Sequence, residues 1–319
     1  MTSDDVRLIA DIGGTNARFA LLSLEQGVHR QIVLPCADYD EIVVAMKAYL
    51  GMVGDPVVKE AAIAIATAVV GDSVKMTNHH WSFSIETLKQ QMAFDKLIVK
   101  NDFTALAMSI PKLSKSDFVQ VGGNTDSQLI TPLGIVGAGT GLGVSGLIPY
   151  GDIWIPLEGE GGHSTVSPSN EREVDIIKVC WKQYPHVSAE RLVSGMGLQN
   201  LYSAICELEN VEPECLSPRE ISVLGISNAN PHCAEALDTF CGLLGSVAGD
   251  LALTLGAYRG VYIGGGIVPQ LGSYFEQSSF RKRFEAKGRF QQHLAEVPVF
   301  VINAENPALY GIGEAFSLS

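Results

Sequence analysis

The hydrophobic positions of this chain fall into two alternating rhythms. Residues 6–10 form a short apolar run, Gly13-Gly14 interrupts it, and 19–22 resumes it, a strand, turn and strand pattern that predicts a β-hairpin. Over 39–50 the period changes: Ile42, Val43, Met46, Tyr49 and Leu50 stand at helical intervals, and 61–66 returns to a strand-like run. Residues 85–92 read as helix and 96–100 as strand. The polar pair Asn101-Asp102 follows at once and opens a helix over 103–110, which ends at Pro111. From 111 to 128 the sequence is polar, and a fresh apolar run starts at Leu133, so a domain boundary is expected near 112.

The second half repeats the opening. Ile135-Val136-Gly137-Ala138-Gly139-Thr140-Gly141 leads into 144–148 much as Ile9-Ala10-Asp11-Ile12-Gly13-Gly14-Thr15 leads into 19–22. Gly14-Thr15 aligns with Gly139-Thr140, a weak internal repeat. Helices are expected near 171–183, 197–209 and 233–257, and 261–263 is a strand running into Gly264-Gly265-Gly266. No flexible linker divides the halves, which predicts two α/β lobes with a cleft between them.

Composition narrows the partners. Asp and Glu number 35 against 22 Lys and Arg, a net charge of -13 over 319 residues, which repels the phosphate backbone and argues against nucleic acid. The six cysteines form no CxxC pair, so neither a zinc cluster nor a disulfide framework is expected. The start, MTSDD, lacks the basic residues and long apolar core of a signal peptide, so a cytoplasmic location is expected. The longest apolar run, 61–71, falls short of the ~20 residues of a membrane span, so no membrane association is expected.

Glycine is the compositional outlier, and its clusters at 13–14, 134–146, 159–162 and 264–266 adjoin strand-like runs. Glycine lets backbone N–H groups approach an anion that a Cβ would hold away, and several such turns together suit a polyphosphate. Each alone is also ordinary hairpin punctuation. No GxxxxGK[ST] occurs, and the first turn lacks GxGxxG spacing, which excludes the P-loop and the dinucleotide fingerprint.

Asp11-Ile12-Gly13-Gly14-Thr15-Asn16, Gly137-Ala138-Gly139-Thr140-Gly141-Leu142-Gly143 and Gly264-Gly265-Gly266 resemble, in order, the first phosphate, second phosphate and adenosine motifs of the sugar kinase/actin-like ATPase superfamily. Within it, Lys100-Asn101-Asp102-Phe103, Gly159-Glu160-Gly161-Gly162-His163, His186-Val187-Ser188-Ala189-Glu190-Arg191 and Gly265-Gly266-Ile267-Val268-Pro269 resemble the bacterial glucokinase family. The resemblance spans about 6 to 313. It implies two ribonuclease H-like/actin-like ATPase lobes of α/β class with an interlobe active-site cleft: a small lobe, 1–112 completed by 303–319, and a large lobe, 113–302. It further implies ATP-dependent phosphorylation of D-glucose at the 6-hydroxyl, the first step of glycolysis, with ATP and Mg²⁺ as cofactors and a homodimer as the assembly.

By the same resemblance, Asn101, Asp102, Glu160, His163 and Glu190 hold the sugar, and Asp102 is also the general base. Ala10, Asp11, Ile12, Gly13, Gly14 and Thr15 face the phosphates together with Gly137, Gly139 and Thr140. Gly265 and Gly266 pack near the adenine and ribose, and Asp11 faces Mg²⁺ through water. Each residue has a plainer reading. Asp102 suits a helix N-cap, Asn101 turn chemistry, Glu160 a solvated loop, His163 a hydrogen-bonded loop histidine, and Glu190 the first turn of a helix. Asp11 is also a turn former, and Thr15 and Thr140 are at home in hairpins. Glu158 stands where the family usually has Pro, so which acid, Glu158 or Glu160, faces the sugar stays open. The rival functions are a kinase for another hexose and a non-catalytic sugar-sensing relative. The cysteines lack the CxCGxxGC spacing of the related zinc-bearing kinases, and a first strand starting near residue 6 leaves no room for a helix-turn-helix.

Overall fold

The first hairpin forms where the Gly pair interrupts the apolar runs. In the computed structural model, which describes residues 6–77, 79–125 and 130–318, β1 (Arg7–Ile12) and β2 (Asn16–Ser23) pair antiparallel, from Arg7 opposite Leu22 to Ile12 opposite Ala17. The Gly13 N–H donates to the Asn16 carbonyl at 2.9 Å and closes the turn. A third strand, β3 (Gly27–Pro35), pairs with β2; it is mostly exposed, and its one apolar run, Ile32-Val33-Leu34, stands at its end after a polar start. The helix α1 (Ile42–Met52) buries Ile42, Val43, Ala45, Met46 and Tyr49. β4 (Glu60–Ile65) lies parallel to β1, with Ala61 to Ile65 all buried, the continuous apolar run expected of a strand covered on both faces. A ribbon of β5 (Ser73–Lys75) and β6 (Ser82–Ser84) follows. Next come α2 (Ile85–Gln91), capped by the Ser84 side chain, and β7 (Lys96–Asn101), parallel to β4. The sheet order is β3-β2-β1-β4-β7.

No loop separates β7 from α3 (Asp102–Ser109). The N-cap is Asn101, whose Oδ1 accepts the N–H groups of Phe103 and Thr104 at 2.9 and 3.2 Å. The helix therefore begins one residue before the expected 103, and the capping duty weighed for Asp102 belongs to Asn101.

The chain then supplies β8 (Phe118–Gln120), β9 (Leu133–Ala138), β10 (Leu142–Tyr150) and β11 (Ile153–Leu157). Four helices follow: α4 (Glu171–Cys180), α5 (Gly195–Leu208), α6 (Pro218–Ile226) and α7 (Pro231–Leu255). After β12 (Val261–Gly264) come the short helices α8 (Val268–Leu271), α9 (Ser273–Gln277), α10 (Phe280–Glu285) and α11 (Gln291–Glu296), then β13 (Val299–Ile302) and α12 (Pro307–Gly313). These elements group into two compact units. One holds the residues up to Ser114, Tyr150–Glu158 and those from Ala304 on; the other holds Lys115–Pro149 and Gly159–Asn303. The segment 150–158, which carries β11, thus goes with the first unit, although the sequence pattern placed it in the larger lobe.

Four strands of the second unit repeat the topology of the first. β9 and β10 form an antiparallel hairpin, β12 is parallel to β9, and β13 is parallel to β12, as β1 and β2 form a hairpin with β4 and then β7 added in parallel. The alignment of Gly14-Thr15 with Gly139-Thr140 is the sequence trace of this doubling.

Each unit has its own core. Phe19, Tyr49 and Trp81 are among the largest fully buried side chains of the first, and Phe240, Phe275, Phe280 and Phe284 of the second. At 25 residues α7 is long and apolar enough to cross a membrane by length and composition, which a search for unbroken apolar runs passes over. It buries Phe240, Leu243 and Leu244 in the second core, and core helices pass the same test. In the first unit α12 packs on α3, where a Cβ on Gly311 would run into the Ala105 carbonyl oxygen.

Candidate active site

The parallel register of the first sheet gathers one set of candidates at one edge. Ile12 lies opposite Ile65, and Ile65 opposite Asn101, so β1, β4 and β7 end together. The Asp11-to-Thr15 turn and the Asn101-Asp102 pair leave from these carboxyl ends, the usual ligand edge of parallel sheets. Ala10 and Ile12 are fully buried beneath the turn. The Asn101 side chain is bonded at both ends: besides capping α3 through Oδ1, its Nδ2 donates one of its two hydrogens to the Thr67 carbonyl at 3.2 Å. Asp102 occupies the first helical position and leaves the cap to its neighbour. The Thr15 carbonyl accepts the Cys36 N–H at 2.8 Å, and Cys36 Sγ donates to the Gly13 carbonyl at 3.4 Å, which ties the Gly13-Gly14-Thr15 turn to the 3₁₀ turn that follows β3.

Asp11 and Asp102 are the carboxylates of this edge. Asp11 lies across the hairpin from Arg18, whose Nη1 stands 3.4 Å from Asp11 Oδ2. Burial holds the Asp11 carboxyl above the ordinary carboxylate range, while the charge and hydrogen bond of Arg18 pull it back. Sequence reading missed Arg18, although a hairpin closing at 13–16 already sets 11 opposite 18. It also missed the partner of Glu158, whose Oε1 lies 2.5 Å from Lys100 Nζ, next to Asn101 in β7.

The second unit gathers the rest. The Gly139 N–H donates to the Gly141 carbonyl at 2.9 Å and closes the second hairpin around Thr140. Gly137 lies opposite Gly264 across β9 and β12, so close that a Cβ on Gly137 would run into the Gly264 backbone. Gly265, at φ +81°, presses equally on the Ala138 backbone, so both the left-handed conformation and the close approach demand glycine. Gly266 has open space beside it, and its carbonyl accepts from Gln270 Nε2 at 2.7 Å. These contacts join the Gly137–Gly141 hairpin to the Gly264-Gly265-Gly266 loop.

Glu160, His163 and Glu190 stand near that hairpin. Glu160 is exposed before the 3₁₀ turn Gly161–His163, and Gly162 packs where a Cβ would run into the Leu142 carbonyl oxygen. His163 Nδ1 is 3.9 Å from Glu190 Oε1, with the His163 side chain 61% exposed and that of Glu190 30%. His186 Nε2 donates to the His163 carbonyl at 3.1 Å. The candidates thus form two sets: Asp11, the Gly13-Gly14-Thr15 turn, Asn101 and Asp102 in the first unit, and Gly137, Gly139, Thr140, Glu160, His163, Glu190, Gly265 and Gly266 in the second.

The family model for glucokinase matches residues 8–318. The chain belongs to the glucokinase family. One relative, the glucokinase of Neisseria meningitidis serogroup C, is 48% identical over 309 residues, covering 97% of this chain and 94% of its own. The crystal structure of glucokinase from an Antarctic psychrotroph superposes with a TM-score of 0.87 at 33% identity, covering 99% of both chains. A ROK family glucokinase from Streptomyces griseus, solved with glucose and AMPPNP, shares the fold at a TM-score of 0.62 and 18% identity over 97% of this chain and 98% of that one. The doubled sheet topology of this glucokinase family member is thus the actin-like ATPase arrangement of the sugar kinases.

Proposed function

We propose that this protein transfers the γ-phosphoryl group of ATP to the 6-hydroxyl of D-glucose. The reading is supported most by the shared register of β1, β4 and β7, which ends the phosphate turn and the Asn101-Asp102 pair at one sheet edge. Phosphoryl transfer to an alcohol asks the protein for an oriented hydroxyl and countercharge rather than for covalent chemistry. Asp102 accepts the proton of the 6-hydroxyl as its oxygen bonds to the γ-phosphorus and the bond to the leaving ADP breaks. Asn101, Glu160, His163 and Glu190 hold the other hydroxyls. The backbone of Gly13, Gly14, Thr15, Gly137, Gly139 and Thr140 receives the phosphates, with the Thr15 and Thr140 hydroxyls beside them, and Gly265 and Gly266 take the adenosine.

The residues fit Mg²⁺ at Asp11. Among the described residues no three His, Cys, Asp or Glu form a metal cluster, which suits an ion held by one carboxylate, by waters and by its nucleotide. Asp11 is a largely buried acid whose charge Arg18 offsets only in part. Bound there, the ion neutralises charge on the phosphate oxygens. The cytoplasm suits the cysteines, which are all free, and family resemblance supports a homodimer.

The test is ADP release from Mg-ATP with a hexose panel that includes 6-deoxyglucose. Turnover with glucose and none with 6-deoxyglucose is expected; turnover with another hexose alone moves the substrate, and none with any sugar overturns the reading. Lys100 favours Glu160 over Glu158 as the acid that meets the sugar. Because it holds Glu158, Glu158→Ala is expected to leave the KM for glucose within about threefold. Glu160→Ala is expected to raise it by roughly tenfold or more, the loss of a charged hydrogen bond. Steady-state kinetics of the two variants reads this directly, and the reverse order would assign the sugar to Glu158.

A further inference from the structure

The stretch from Glu190 to Gly195 grips the second phosphate hairpin from both sides. The Gly195 N–H donates to the Gly139 carbonyl at 2.9 Å, and Glu190 Oε2 accepts the Leu142 N–H at 2.9 Å. Gly141 packs against the same carboxylate, where a Cβ would collide with Oε2. Glu190 is equally tied to the sugar loop. Its own N–H donates to the Gly162 carbonyl at 2.9 Å, and its other oxygen, Oε1, faces His163 Nδ1 at 3.9 Å. Ser194 fixes the stretch to α5: its Oγ donates to the Glu190 carbonyl at 2.8 Å and accepts the Gly197 N–H at 3.0 Å. One carboxylate oxygen is thus committed to the nucleotide hairpin, and the other is turned to the loop that holds sugar in the proposed function.

We infer that Glu190 is a positioning residue for ATP as well as a sugar ligand, and that through its two oxygens sugar binding and nucleotide binding strengthen each other. The inference rests on the proposed function. A backbone N–H bonded to a carboxylate is held more firmly than one bonded to a neutral acceptor, so the Leu142 bond keeps the hairpin in one shape before ATP arrives. Sugar hydroxyls donating to Oε1 fix the carboxylate's rotation. The hairpin is then better ordered, and ATP has less ordering to supply on binding. By linkage the effect runs equally in both directions.

The test is calorimetric binding of Mg-AMPPNP, with and without glucose, to the wild type, Glu190→Ala and Glu190→Gln. Without glucose, Glu190→Ala is expected to bind AMPPNP about tenfold more weakly, the loss of one charge-assisted hydrogen bond. Glu190→Gln keeps an oxygen that accepts the Leu142 N–H, and its AMPPNP affinity is expected to stay within about threefold of wild type. Glucose is expected to tighten AMPPNP binding to the wild type and to leave Glu190→Ala unchanged. A residue that serves only the sugar would leave AMPPNP affinity without glucose equal in all three proteins, and that result overturns the inference. Should Glu190→Ala fail to fold, Glu190→Asp, one methylene short of the Leu142 N–H, takes its place with the same expected weakening; an unweakened Asp variant overturns the inference as well. A wild type that neither binds AMPPNP nor phosphorylates glucose takes down the proposed function and this inference with it, whereas an active wild type with unaltered variants removes this inference alone.

Discussion

Asp102→Ala is expected to lower kcat for glucose by roughly 10²–10⁴-fold, the range a positioned general base contributes, while the protein stays folded. The second half of that expectation comes from α3. The helix is capped by Asn101, whose Oδ1 holds the N–H groups of Phe103 and Thr104, so removing the carboxylate at 102 leaves both bonds in place. As an acid in a first turn Asp102 contributes about 0.3–1 kcal/mol to the helix. A coupled ADP assay beside a thermal melt checks both parts. Turnover within a few-fold of wild type removes Asp102 from the chemistry, and a collapsed melting temperature assigns it to the fold instead. Asn101→Ala serves as the contrast, because loss of the cap costs about 0.5–2 kcal/mol.

Asp11→Asn is expected to trade activity for stability. In the proposed function the Asp11 carboxylate faces the Mg²⁺ that would neutralise the phosphates, and its loss is expected to lower kcat by about 10²-fold, as for other preorganised electrostatic groups. The ligand-free fold moves the other way. Burial raises the Asp11 pKa, and this outweighs the opposing pull of Arg18. The folded state therefore binds the proton more tightly than the unfolded chain. The stability that this protonation contributes is fully present below the ordinary carboxylate pKa and is lost as pH rises through the raised value. At neutral pH the charged Asp11 is a net cost, which a neutral amide removes. Arg18, with its side chain 31% exposed, is left to water. Melts of the ligand-free protein across acid to neutral pH are expected to show Asp11→Asn gaining on wild type as pH rises. A variant less stable than wild type at neutral pH would mean that the Arg18 pair outweighs burial.

Much of this architecture was legible because glycine and hydrophobic period coincide. The interruption at Gly13-Gly14 and its echo at Gly139-Thr140 mark the two hairpins whose repetition organises both sheets. Strands with a weak signal were not legible: β3 is mostly exposed with a single three-residue apolar run, Ile32-Val33-Leu34, and β5 and β6 are three residues each. Partners distant in sequence were equally silent. Nothing local announces that Lys100 meets Glu158 or that Glu190 accepts the Leu142 N–H, since both pairings follow from how separate segments are brought together. Asn101 shows the limit at single-residue scale. Motif and spacing marked the Asn101-Asp102 pair, and only backbone geometry tells which of the two caps the helix.

The packing of α12 on α3 also sets an order of events during synthesis. The strands β1 to β7 and the helix bearing Asp102 leave the ribosome early, but the face of α3 at Ala105 is covered by a helix that emerges only after the whole second unit has been translated. Until then the nascent first unit carries an uncovered apolar flank beside the Asn101-Asp102 pair. The second unit, made in between, is free to complete its own core first. The support beneath the Asn101-Asp102 pair is therefore complete only after a helix translated behind the whole second unit has docked on α3.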